Sequence, residues 1–157
     1  MRQRTTARGI PARPRASVRA AADNSAEIFI YDFIDEWGVK AADLVPQIAA
    51  LKVDLITVRI NSPGGNVFDG VAIYNALRQH SARVVVQIDA MAASIATLIA
   101  LGGDELRMAS NALFMIHDPS AITMGTATDH RKTADLLDAV GDTTLVRAYT
   151  GKTGQTQ

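Results

Sequence analysis

Residues 54–77 read DLITVRINSPGGNVFDGVAIYNAL. The first seven, DLITVRI, form a near-continuous aliphatic run, the pattern of a β-strand covered on both faces. NSPGGN (61–66) breaks the run, because a proline followed by two glycines suits a turn. VFDGVAIYNALRQH (67–80) then returns to helical spacing through Val67, Val71 and Tyr74. Strand, glycine turn and helix make one β-α step, and the fold follows from finding that step repeated.

It is repeated on both sides. Upstream, EIFIYDFI (27–34) reads as a strand and DEWGV (35–39) as a turn. AADLVPQIAAL (41–51) puts Leu44, Val45, Ile48 and Leu51 at helical spacing, with Pro46 tolerable only in a first turn. Downstream, RVVVQI (83–88) is a strand, AMAASIATLIAL (90–101) a helix of small residues, and GGDE a stop. ALFMI (112–116) is a further strand running into His117. After a turn at Gly125, Thr128 to Tyr149 reads as a longer helix with Leu137, Val140 and Leu145 inward. The β-α-β-α-β alternation predicts an α/β fold with a parallel sheet and right-handed crossovers.

Composition bounds the rest. At 157 residues, 48% hydrophobic and 20% charged, the chain fits one globular domain. Residues 1–26 have Arg, Pro, Ala and Ser without hydrophobic period. They read as a basic, disordered arm ahead of an ordered domain at 27–157. Six Arg and no acid fall within residues 1–22. The remaining 135 residues hold 10 Lys and Arg against all 16 acids, a net charge of −6. An acidic body argues against nucleic acid as the partner. The absence of Cys excludes disulfides and thiolate metal sites and fits a cytoplasmic location. The longest apolar run, Ala90 to Leu101, is too short to span a bilayer, so no membrane role is expected.

In parallel α/β folds, ligands gather at the carboxyl ends of the strands. Three such ends here carry unusual residues: NSPGGN, DAMAAS and HDP. Ser94 falls at a strand-to-helix bend, where it is either a helix N-cap among small residues or an exposed nucleophile. Gly64 and Gly65 form either an ordinary Pro-Gly turn or a loop whose free N–H groups bind a developing oxyanion. His117 is either a structural histidine or a base facing the same edge as Ser94. His80 and His130 have no metal-ligand spacing with it, and neither a metal nor another cofactor is expected. Nucleophile, base and oxyanion donor together are what acyl transfer needs.

INSPGGNVFDGVAIYNAL, then MAAS, then FMIHDP, in that order, resemble the Clp-type serine proteases (the ClpP family), and GTATD is similar to the start of that family's handle region. The likeness covers Glu27 to the end and is closest to the phage-borne head maturation proteases of this type. It implies a spiral of β-β-α units, an architecture shared with the crotonase fold, with a protruding handle helix. It further implies Ser94 as nucleophile, His117 as general base, and the N–H groups of Gly65 and Ile95 as the oxyanion hole. Partners by the same resemblance are peptide or protein substrates, homo-oligomeric rings (heptameric or paired as tetradecamers), a Clp ATPase, and phage capsid proteins. The family's triad Asp lies in a segment after the handle helix. No Asp here matches it: Asp118 adjoins His117 but points to the opposite strand face, and Asp135 and Asp138 lie in the handle. The chain therefore reads as C-terminally truncated, with an inactive or impaired subunit as the alternative. Loss of a triad Asp lowers rates by about 10⁴-fold. A crotonase-fold acyl-CoA enzyme is the further alternative and would need a carboxylate in place of the Ser/His pair.

Overall fold

The computed structural model describes residues 16–21 and 23–154. Among the described residues six strands form one sheet: β1 (Ala16–Ala21), β2 (Ser25–Ile30), β3 (Leu55–Ser62), β4 (Arg83–Ala93), β5 (Glu105–Met108) and β6 (Leu113–Met115). The first five lie side by side in chain order. β1 runs antiparallel to β2, and every other pairing is parallel. Helices α1 (Ala41–Ala50), α2 (Val67–Arg78) and α3 (Ile95–Leu101) connect the parallel strands, α1 packing on α2 and α2 on α3.

Strands in chain order joined by crossovers of one hand put their helices on one face. Burial along the strands agrees. In β3, Ile56, Val58, Ile60 and Ser62 are buried while Leu55, Thr57 and Arg59 are only half-buried. The expectation that this strand is covered on both faces is therefore corrected. Thr57 and Arg59, spaced two apart, belong to a polar face that also carries Gln87, Asp89 and Arg107. There Arg59 forms two hydrogen bonds to Asp89, at 2.9 and 2.7 Å, and the Tyr31 hydroxyl donates to the same carboxylate.

Four further expectations change. Ahead of Glu27, where the sequence reads as a disordered arm, the described residues already form a strand, Ala16–Ala21. β1 pairs with β2 from Ala16↔Ile30 to Ala21↔Ser25, with Val18 against the core and Arg19 stacked on the Phe29 ring. The rest of the basic arm, residues 1–15 and Ala22, lies outside the described residues. α1 continues through Pro46, at its sixth position. The carbonyl deprived of its N–H partner is that of Ala42, which is exposed and can bond water instead. β4 extends to Ala93, so the helix expected over 90–101 starts only at Ile95. Finally, β5 is an additional strand between GG and ALFMI.

The length of β4 matters for the site. Its pairing with β3 is in register through Ile60↔Ile88 and resumes at Ser62↔Ala92, so β4 carries two extra residues at a bulge. Before the bulge its other edge pairs with β5, and after it Met91–Ala93 pairs with β6. A bulge bends a strand and re-aims its end. This one delivers the residues preceding Ser94 to β6, away from the main path of the sheet.

α3 is buried at every position, which explains why all its side chains but that of Thr97 are apolar. By contrast α4 (Ala127–Ala139) has no buried residue and stands out from the body. Its start is fixed by a reciprocal capping box between Thr126 and Asp129. The rod continues through a π-helical segment, Val140–Leu145, into α5 (Val146–Thr153), and Leu145 and Ala148, on either side of that junction, pack against the core.

Candidate active site

β4 ends at Ala93 and α3 begins at Ile95, so one residue makes the bend. Ser94 does so with φ 54 and ψ −131. A non-glycine residue held there costs about 1–3 kcal/mol and persists only when its surroundings over-determine it. The side chain makes no capping hydrogen bond to α3, so helix capping does not explain the hydroxyl. The backbone is held on both sides instead. Ser94 N–H donates to the Met115 carbonyl of β6 at 2.9 Å, and its own carbonyl accepts the Thr97 N–H at 3.0 Å and the Thr97 hydroxyl.

The glycine turn sits directly against this bend. A Cβ on Gly64, whose φ is +95, would stand 2.6 Å from the Ala93 carbonyl oxygen, 2.7 Å from Ser94 Cβ and 3.2 Å from Ile95 N. Only glycine allows that approach. The next residue is equally constrained: a Cβ on Gly65 would be 2.2 Å from the Ile34 carbonyl oxygen. Ile34 N–H donates to Gly64 O at 2.9 Å, and Ile34 O accepts Asn66 N–H at 2.6 Å. In a parallel bridge of this kind the intervening residue's N–H points away from the partner. Gly65 N–H is thus directed off Ile34, and among the described residues neither it nor Ile95 N–H is used in a hydrogen bond.

Three residues that sequence reasoning passed over hold this loop. Ser62 is fully buried, and its hydroxyl donates to Asp32 O at 2.7 Å while accepting Gly64 N–H at 3.1 Å. Asn66 caps α2, its side chain accepting Phe68 and Asp69 N–H. Ile34, fully buried, supplies the bridge. A serine just before Pro-Gly-Gly is the one local signal that pointed to a side chain bonding the turn.

His117 follows Met115, the acceptor for Ser94, by two residues, which brings it to the same strand end. Its side chain is exposed, and among the described residues no hydrogen bond joins it to Ser94 Oγ or to a carboxylate. His80 is elsewhere and accepts the Ala82 N–H in a turn. His130 lies in α4. Beside the glycine turn, an open pocket of about 230 Å³ runs from Gly65 and Phe68 past Pro119 to Leu136, Leu137 and Val140 of the projecting helical rod. Its lining is mainly apolar. No helix among the described residues is long and apolar enough to cross a membrane.

Residues 14–157 match a family model described as Clp protease. Two curated relatives are ATP-dependent Clp protease proteolytic subunits. That of Bacteroides thetaiotaomicron is 36% identical over 81 residues, covering 50% of this chain and 37% of that protein. That of Chlorella vulgaris is 31% identical over 105 residues, covering 63% of this chain and 50% of that protein. The chain thus spans half or less of the length of these relatives. Among solved structures, a ClpP1 mutant from Listeria monocytogenes superposes with a TM-score of 0.71 at 26% identity, covering 83% of this chain and 73% of that one.

Proposed function

Because the chain belongs to the Clp protease family, we propose that it hydrolyses peptide bonds as a serine-type endopeptidase, with Ser94 as nucleophile and His117 as general base. The observation that carries this reading is the geometry of Ser94: a strained single-residue bend, with an uncapped hydroxyl, pressed against a double-glycine turn.

The reaction runs as follows. His117 takes the Ser94 hydroxyl proton as Oγ bonds to the carbonyl carbon of the scissile peptide. The carbonyl electron pair moves onto oxygen, and the oxyanion accepts the N–H groups of Gly65 and Ile95. One such donor contributes about 3 kcal/mol to the barrier reduction. Collapse of the intermediate breaks the C–N bond, and His117 returns the proton to the leaving amine. Water then attacks the acyl-enzyme through the same steps. The apolar pocket beginning at Gly65 would take the side chain next to the scissile bond, which favours apolar residues there.

Exposed apolar side chains along β6 and the following loop (Leu113, Ile116, Ile122 and Met124) support self-association. We assign this face to homo-oligomeric rings, heptameric or paired, in the cytoplasm. Work with a Clp ATPase rests on the two relatives, named ATP-dependent. A role on capsid proteins in phage head maturation rests on the sequence resemblance. The impaired-subunit reading keeps one observation in its favour, the lack of a hydrogen bond between Ser94 and His117 among the described residues. The acyl-CoA reading gains nothing from these matches.

Fluorogenic peptides differing only in the residue before the scissile bond test the proposal. Hydrolysis is expected for apolar residues and weak for acidic ones, and it is expected to vanish in Ser94→Ala and His117→Ala. Activity that survives Ser94→Ala overturns the assignment.

A further inference from the structure

We propose that Tyr149, acting through Thr97, is a positioning residue for Ser94, so that the nucleophile's bend depends on the seating of α5. This rests on the reading of Ser94 as nucleophile.

Thr97 is the only polar side chain in α3, and it is fully buried. A buried hydroxyl needs partners, and packing alone would be met by Val or Ala. Its partners are specific. The Thr97 hydroxyl donates to the Ser94 carbonyl, and its oxygen is hydrogen-bonded to the Tyr149 hydroxyl. A hydroxyl has one proton. With that of Thr97 given to Ser94 O, the shared bond must use the proton of Tyr149. The direction of the chain is therefore Tyr149 to Thr97 to Ser94.

A threonine that bonds a carbonyl three residues back is ordinary in helices. Two things make this one different. The carbonyl belongs to a residue held at φ 54, where the surroundings must maintain the conformation. The relay also reaches another element, 52 residues later in the chain. Burial raises the Tyr149 hydroxyl's pKa, with the Thr97 bond opposing, so it remains a proton donor at neutral pH.

α5 is fixed along α3 at a second point. Lys152 Nζ donates to Gly103 O at 2.6 Å and Asp104 O at 3.3 Å, just past the end of α3. Leu145 and Ala148 hold the start of the same stretch against the core. The π-helical segment joins α5 to α4, and Leu136, Leu137 and Val140 on that rod line the pocket beside Gly65. One continuous helical rod therefore borders the candidate substrate pocket at one end and holds the Ser94 bend at the other.

The test compares the parent chain with Tyr149→Phe, Thr97→Val, Thr97→Ser and the double variant Tyr149→Phe/Thr97→Val. Readouts are the rate of Ser94 acylation by a fluorophosphonate, KM and kcat for a peptide, and the thermal midpoint. These substitutions change side-chain volume little, so each variant should fold. Tyr149→Phe is expected to lower kcat and the acylation rate about 10-fold with KM unchanged. Thr97→Val should do the same, Thr97→Ser should stay close to the parent rate, and the double variant should match Thr97→Val alone. If the parent reacts at Ser94 and Tyr149→Phe reacts equally fast, or Thr97→Ser is as slow as Thr97→Val, the relay is refuted while Ser94 stands. If the parent does not react at Ser94, the nucleophile reading fails and the relay with it.

Discussion

Replacing Gly64 by Ala adds one methyl group at the point where the glycine turn meets the Ser94 bend. The residue has φ +95, and an L side chain in the left-handed region costs about 1–2 kcal/mol. The new Cβ would lie 2.6 Å from Ala93 O and 2.7 Å from Ser94 Cβ, with no flexible side-chain end to yield. Overpacking of this kind adds about 1–3 kcal/mol. A total near 3 kcal/mol corresponds to a midpoint about 6–12 °C lower in a chain of this size. Restoring ordinary contact requires a shift of about 0.8 Å between turn and bend. Gly65 N–H and Ile95 N–H lie on opposite sides of that junction, so the shift changes the spacing of both proposed oxyanion donors. A displacement on this scale costs about 100-fold in rate. Thermal unfolding followed by circular dichroism gives the first quantity, and the rate of fluorophosphonate acylation gives the second. A Gly64→Ala protein that melts with the parent and reacts at the parent rate would refute the close-packed junction.

Three further outcomes follow from the same structure. Gly151→Ala, in α5 with nothing within 4 Å of the added Cβ, should stabilise the protein by about 0.5–1 kcal/mol in urea unfolding. Ser62→Ala leaves Asp32 O and Gly64 N–H without their shared hydroxyl and should cost about 1–3 kcal/mol by the same measurement. For Asp89, burial raises the carboxyl's pKa, but hydrogen bonds from Arg59 and Tyr31 outweigh it and hold the pKa below its usual value. Its contribution is therefore present above the unfolded value of about 3.9 and lost as pH falls through the lower folded value. Arg59 is 39% exposed, which limits the contribution to about 1 kcal/mol. Asp89→Asn should lower the urea midpoint at pH 7 and flatten its decline below about pH 4.

Much of the fold was legible because its β-α steps carry their own periodicity. DLITVRI, the glycine break and VFDGVAIYNAL each act locally, and the structure places β3, the turn and α2 there. What was not legible depends on partners distant in sequence. β5 has four residues and takes its identity from pairing with β4, not from its own pattern. β1 is a strand because β2 lies beside it. The one-sided covering of β3 was signalled by Thr57 and Arg59, polar at spacing two, but an otherwise aliphatic run masked it. The candidate site divides in the same way. Ser94, Gly65, Ile95 and His117 could be named from motif order. Ile34 and Thr97 could not, because an isoleucine at the end of an apparent strand and a threonine in a small-residue helix look like packing until their hydrogen bonds are seen. The π-helical segment has no periodic signature to read, yet it is part of the rod that brings Tyr149 to Thr97.

The central claim is that Ser94 is an activated nucleophile. Trypsin releases residues 84–107, VVVQIDAMAASIATLIALGGDELR, in which Ser94 is the only serine. Mass spectrometry of this peptide after fluorophosphonate treatment of the folded chain is the most direct measurement. The expected result is a single phosphonyl adduct on Ser94, absent after heat denaturation and absent in His117→Ala. An unmodified peptide from folded protein, or an adduct on Thr97 in its place, would contradict the claim.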